Sequence, residues 1–163
     1  MNRVQNAASA DTANRKDRKS GGKTDGGGSP ATGRIRAFRF VYGALALIYF
    51  ACIVLQVFFA GMGVFVNADD LQLHRAFAND FEYLSLLMFV ISFFGGIRGG
   101  LRWYTLGLLA LTMLQHMTVR VLPGALAALH TVDALALFWI SLHLMRRSWP
   151  WLLMRPDKAA TNA

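Results

Sequence analysis

Beyond about residue 38 the chain reads as four long apolar stretches separated by short polar breaks, at about 38–65, 73–97, 103–119 and 124–145. At about 1.5 Å of rise per residue each stretch, written as a helix, reaches across a hydrocarbon core about 30 Å thick, the third being the shortest. The breaks carry turn chemistry. Residues 67–70 contain Asn67, Asp69 and Asp70, residues 95–100 contain four glycines around Ile97 and Arg98, and Pro123-Gly124 opens the last stretch. Connections this short join antiparallel neighbours, so the pattern predicts an all-α, up-down-up-down four-helix transmembrane bundle.

Residues 1–34 break the pattern. They are rich in Gly, Ser, Ala, Asn, Lys and Arg and almost free of large apolar side chains, which predicts a disordered basic tail ahead of a transmembrane domain at 35–148 and a short tail at 149–163. The apolar run that follows the first tail is too long for the core of a cleaved signal, so it is expected to stay as an anchor. Of the whole chain 55% is apolar, too much for a water-soluble domain that must keep a polar surface. The one cysteine, Cys52, lies inside the first stretch and offers no intramolecular disulfide.

The formal charge of +8 is set by topology. Arg34, Arg36 and Arg39, then Arg98 and Arg102, then Arg146, Arg147, Arg155 and Lys158 flank one side of the bundle. Only Arg75 and Arg120 flank the other, beside Asp69 and Asp70. By the positive-inside rule both termini are expected to be cytoplasmic. The cations follow span ends and no nucleic-acid motif accompanies them, so no nucleic-acid partner is expected. Trp103, Tyr104, Trp149 and Trp151 suit the headgroup zone, and segment 149–154 is expected along the inner surface.

Ionisable and amide side chains within the spans carry the functional argument, because each costs several kcal/mol in hydrocarbon unless paired or solvated. Measured from the cytoplasmic arginine of its own span, Gln56 lies about 25 Å deep, Glu82 about 24 Å, His116 about 21 Å and His130 about 24 Å. These four make one polar layer in the outer half of the membrane. Asp133 shares a helical face with His130 about one turn deeper. His74 and Asp80 lie further out, His74 about 36 Å from Arg98, a depth that favours His116 with His130 as the pair unless span two tilts or ends early.

Inward-facing histidines can ligate haem iron or another metal, or relay protons. The candidate metal and haem ligands are His74, His116 and His130. Arg75 and Arg120 would meet haem propionates, and Phe77, Phe81 and Phe138 would pack the ring. His143, beside Arg146 and Arg147, reads as an interfacial residue. Gln56, followed by Ala60, Gly61 and Gly63, reads as part of a close helix contact. The glycine run 95–100 lacks the Lys-Ser/Thr ending of a phosphate loop.

Two local patterns, Leu73-His74-Arg75-Ala76-Phe77-Ala78 and Ala128-Leu129-His130-Thr131-Val132-Asp133-Ala134, resemble the four-helix halves of haem A synthase. That resemblance implies haem ligands at His74 and His130, near the outer face. Leu71 stands where that family has a glutamate, so its oxidative chemistry is not implied. The region from about 38 to 146, with Leu55-Gln56-Val57-Phe58-Phe59-Ala60-Gly61-Met62-Gly63, also resembles a family of small uncharacterised four-helix bacterial membrane proteins. That family implies a fold and no activity.

Three functions stay open from the sequence. One is a b-type haem protein passing single electrons. A second is an ion- or metal-coupled small transporter using Glu82, His116, His130 and Asp133. The third is a structural accessory subunit without cofactor, held in the lipid bilayer as a homodimer or beside a membrane-protein partner. No nucleophile, base and orienting group occur together as a hydrolase would need.

Overall fold

The computed structural model describes residues 30–121 and 124–153, so residues 1–29 of the tail expected to be disordered, Pro123 and the cations Arg155 and Lys158 lie outside it, while residues 30–34 of that tail are helical. Helix α1 spans Pro30–Phe65, α2 Leu71–Phe81, α3 Tyr83–Phe94, α4 Gly100–Arg120 and α5 Leu129–Leu153. The described residues contain no strand. Short 3-10 turns at Ala68–Asp70 and Gly124–Ala128 precede α2 and α5. Asn67 ends the first crossing: it is extended, and its side-chain oxygen accepts the Asp69 N–H at 3.1 Å, so the chain reverses there.

The second long apolar segment is one continuous run in sequence, but its helix is interrupted at Glu82. The Glu82 carbonyl accepts both the Ser85 N–H at 3.2 Å and the Ser85 hydroxyl at 2.8 Å, which tightens the turn and divides α2 from α3. The glycine loop after α3 relies on left-handed backbone at Gly96 and Gly99, with Ile97 between them buried against the core. At the far end α5 continues to Leu153 past the expected border at residue 145. Residues 149–153 continue that helix, and Trp151 packs edge-on against Tyr42, with Arg39 over its ring at 5.7 Å.

The helices take the corners of a square. α1 packs on α5 and on the α2–α3 pair, and α4 packs on α3 and α5, so α1 faces α4 across one diagonal and the α2–α3 pair faces α5 across the other. The inside is unusually polar. Ser85, Ser92, Thr105, Thr112, Thr118, Asp133, Ser141 and Ser148 are buried, while Leu55, Val57, Phe58, Val64 and Phe65 on α1 are exposed. Most buried hydroxyls return their hydrogen bond to a carbonyl three or four residues back, as Thr112 does to Leu108 and Ser148 to Leu144. Small hydroxyl residues inside and large apolar ones outside are what helix packing in lipid selects.

Two segments, Gly33–Phe65 and Ala68–Phe94, are long and apolar enough to cross a membrane. Only 17% and 28% of their most apolar windows are buried in the bundle, so neither is the enclosed core helix of a soluble protein. α4 and α5 fall short of that measure, because Arg102 and His116 interrupt one and His130, Asp133, His143, Arg146 and Arg147 interrupt the other.

Candidate functional site

His74 opens α2 and His130 opens α5, on opposite corners of the square, and their rings meet across it. The centroids are 6.2 Å apart and the ring planes lie 75° to one another. Each ring is turned by a bond at Nδ1. His74 Nδ1 lies 3.1 Å from the Gln56 carbonyl, which can only accept, so Nδ1 carries the proton. His130 Nδ1 lies 3.5 Å from Thr118 Oγ1, at the edge of hydrogen-bonding range. That hydroxyl already donates to the Gln115 carbonyl at 2.9 Å, leaving it to accept from the ring. With its proton on Nδ1, His74 would offer Nε2 to a metal, while the His130 ring lies between Thr118 and the Gln115 backbone.

The backbones of the two histidines are held in the same way. Gln56 Nε2 donates to the His74 carbonyl at 2.8 Å, and Gln115 Nε2 donates to the His130 carbonyl at 3.3 Å. In each half of the chain a glutamine on one helix grips the histidine that opens the next described crossing. Gln56 is therefore more than a packing residue. Gln115 and Thr118 were not picked out by sequence reasoning, although a signal exists: Leu55-Gln56 and Leu73-His74 recur as Leu114-Gln115 and Leu129-His130, and Ala78 and Ala134 each follow the histidine by one turn.

The other candidates are placed differently. His116 pairs with Glu82 through Nε2 and Oε2, so it faces the junction of α2 and α3 rather than completing a set with His74 and His130. Among the described residues no three His, Cys, Asp or Glu side chains converge as a metal-binding group. Asp133 is only 5% exposed, and neither carboxylate oxygen has a hydrogen-bond partner among the described residues. Arg75 and Arg120 are exposed near the outer ends of α2 and α4. Phe77 packs against Phe59 and Phe81, and Phe81 against Tyr49, whereas Phe138 packs against Phe50 further down the bundle. His143 stacks between Tyr104 and Trp139 toward the inner end.

The depth reckoned from flanking arginines separates His74 from His130, and the structure corrects it. Arg39 Nε donates to the Gly95 carbonyl at 3.1 Å while its guanidinium covers Trp151, so Gly95 and Trp151 mark one common level. Each follows its histidine by 21 residues. The earlier ruler failed because α5 runs on through Arg146 and Arg147 for two more turns, so those arginines do not mark the end of the helix.

A family of unknown function, DUF6220, matches residues 56–121. The matched stretch takes in Gln56, His74, Glu82, Gln115 and His116 and ends before His130. No curated protein and no solved structure matches the chain. The expected likeness to an uncharacterised family agrees with this match, while the likeness to haem A synthase rests on the two local patterns alone.

Proposed function

We propose that the protein is a multi-pass bacterial inner-membrane bundle, crossing the bilayer with all four helical corners and with both termini cytoplasmic, that holds a b-type haem between His74 and His130 and passes single electrons. The observation that carries this reading is the His74–His130 pair at 6.2 Å. Two metal–imidazole bonds of about 2 Å and two ring radii of about 1.1 Å add to about 6 Å between centroids, so the separation fits an iron ligated on both sides. The Gln56 carbonyl supports the reading on the His74 side, since holding the proton on Nδ1 would leave Nε2 to ligate. Arg75 and Arg120, exposed at the same end, would meet the propionates.

The Glu82–His116 pair favours a second reading, a proton- or metal-coupled transporter, which needs no colour. Oxidised and dithionite-reduced visible spectra of protein expressed with haem precursor distinguish the two. A Soret band with sharpened reduced bands, lost in His74→Ala and His130→Ala but kept in His116→Ala, supports the haem reading. A colourless wild type that is folded and helical overturns it.

A further inference from the structure

Asp133 has no explanation in the packing. It faces the interior one turn below His130 on the same face of α5, almost fully buried, and both its oxygens lack a donor among the described residues. The ionisable groups around this region are Tyr49 and Cys52 on α1, His74 on α2, Glu82 at the α2–α3 junction, His116 on α4 and His130 on α5. Among the described residues none of them donates a hydrogen bond to Asp133. Tyr49 spends its hydroxyl proton on Thr112, and Glu82 and His116 pair with one another. A carboxylate left ionised in such a place is costly, and the cost grows when a negative charge is added nearby.

On the reading that His74 and His130 hold a one-electron centre, we infer that Asp133 is its proton partner, taking a proton on reduction and releasing it on oxidation. One electron enters the centre from a one-electron donor. One proton passes from hydronium in the solvent to a carboxylate oxygen of Asp133: an O–H bond of the hydronium breaks as the carboxyl O–H bond forms, water is left behind, and the combined charge of centre and carboxyl stays constant. Reoxidation reverses both transfers. The bundle thereby moves electrons through a low-dielectric interior without accumulating charge.

The test is the midpoint potential of the haem-loaded, full-length protein in detergent, titrated at several pH values for wild type, Asp133→Asn and Glu82→Gln. A wild-type potential that falls with rising pH, by up to about 59 mV per tenfold change in proton concentration, is expected for one proton per electron. The slope disappears in Asp133→Asn and persists in Glu82→Gln. A wild-type potential independent of pH overturns the inference, as does a slope that survives in Asp133→Asn. Redox-difference infrared spectra of the wild type carry the same test should Asp133→Asn fail to fold: a carboxylic-acid carbonyl band must appear on reduction, and its absence overturns the inference. Failure of the haem reading looks different, since no Soret band then forms and the coupling falls with it.

Discussion

Tyr49 on α1 reaches across the diagonal of the bundle to Thr112 on α4, its hydroxyl 2.8 Å from Thr112 Oγ1. One heptad earlier Tyr42 reaches Thr105 in the same way. The backbones of α1 and α4 do not touch, so these long phenols are the ties along that diagonal. Thr112 and Thr105 already donate to carbonyls of their own helix, and each therefore accepts from its tyrosine.

Tyr49→Phe removes one such tie while keeping the ring packed on Phe81. Hydrogen bonds between membrane helices average about 0.6 kcal/mol and reach about 1.7. A loss in this range is expected in the unfolding free energy measured in detergent, with a similar loss for Tyr42→Phe.

Glycines on the outer half of α1 are not equivalent. A Cβ at Gly63 would lie 2.5 Å from the side chain of Leu71, whereas at Gly61 it meets nothing within 4 Å. Gly63→Ala is expected to destabilise by about 1 to 3 kcal/mol through overpacking. Gly61→Ala is expected to be neutral or stabilising by up to about 1 kcal/mol, since alanine is the better helix former. Thermal unfolding of the two variants side by side measures the difference.

The glutamine clamps are outer supports of the histidine pair. Gln56→Ala leaves the Gln56 carbonyl on His74 Nδ1 but frees the His74 backbone, and Gln115→Ala does the same for His130. Haem titration is expected to show affinity weakened about 10- to 100-fold in either variant. Unchanged affinity in both would show that the clamps serve folding alone.

Removing one member of the Glu82–His116 pair should hurt more than removing both. Their side chains are 18% and 24% exposed, so the penalty for stranding Glu82 lies below the about 3 to 5 kcal/mol of a fully buried pair. His116→Ala is expected to lower the unfolding temperature, and adding Glu82→Gln to restore part of it. A double variant less stable than either single variant would deny the coupling.

The helical crossings were legible because apolar runs and turn residues recur with strong contrast along the chain. The break at Glu82 was hidden, since it arises from a serine hydroxyl competing for a carbonyl within an otherwise continuous apolar run. His74 and His130 could be named from sequence, but their meeting could not. It depends on helix rotation and on how far α5 continues, and the arginines at 146 and 147 suggested a false end. The heptad spacing of Tyr42 and Tyr49, matched by Thr105 and Thr112, was readable in principle, yet only the diagonal placement of α1 and α4 gives it meaning.

The Tyr–Thr ties serve the inner part of the bundle, and at the outer end the two histidines face one another across the remaining diagonal. An occupant gripped by both rings would act as a rivet between the first and second halves of the chain. It would close a long loop and resist the parting of the two hairpins, so loading would register as mechanical and thermal toughness of the outer end as well as in any colour it lends.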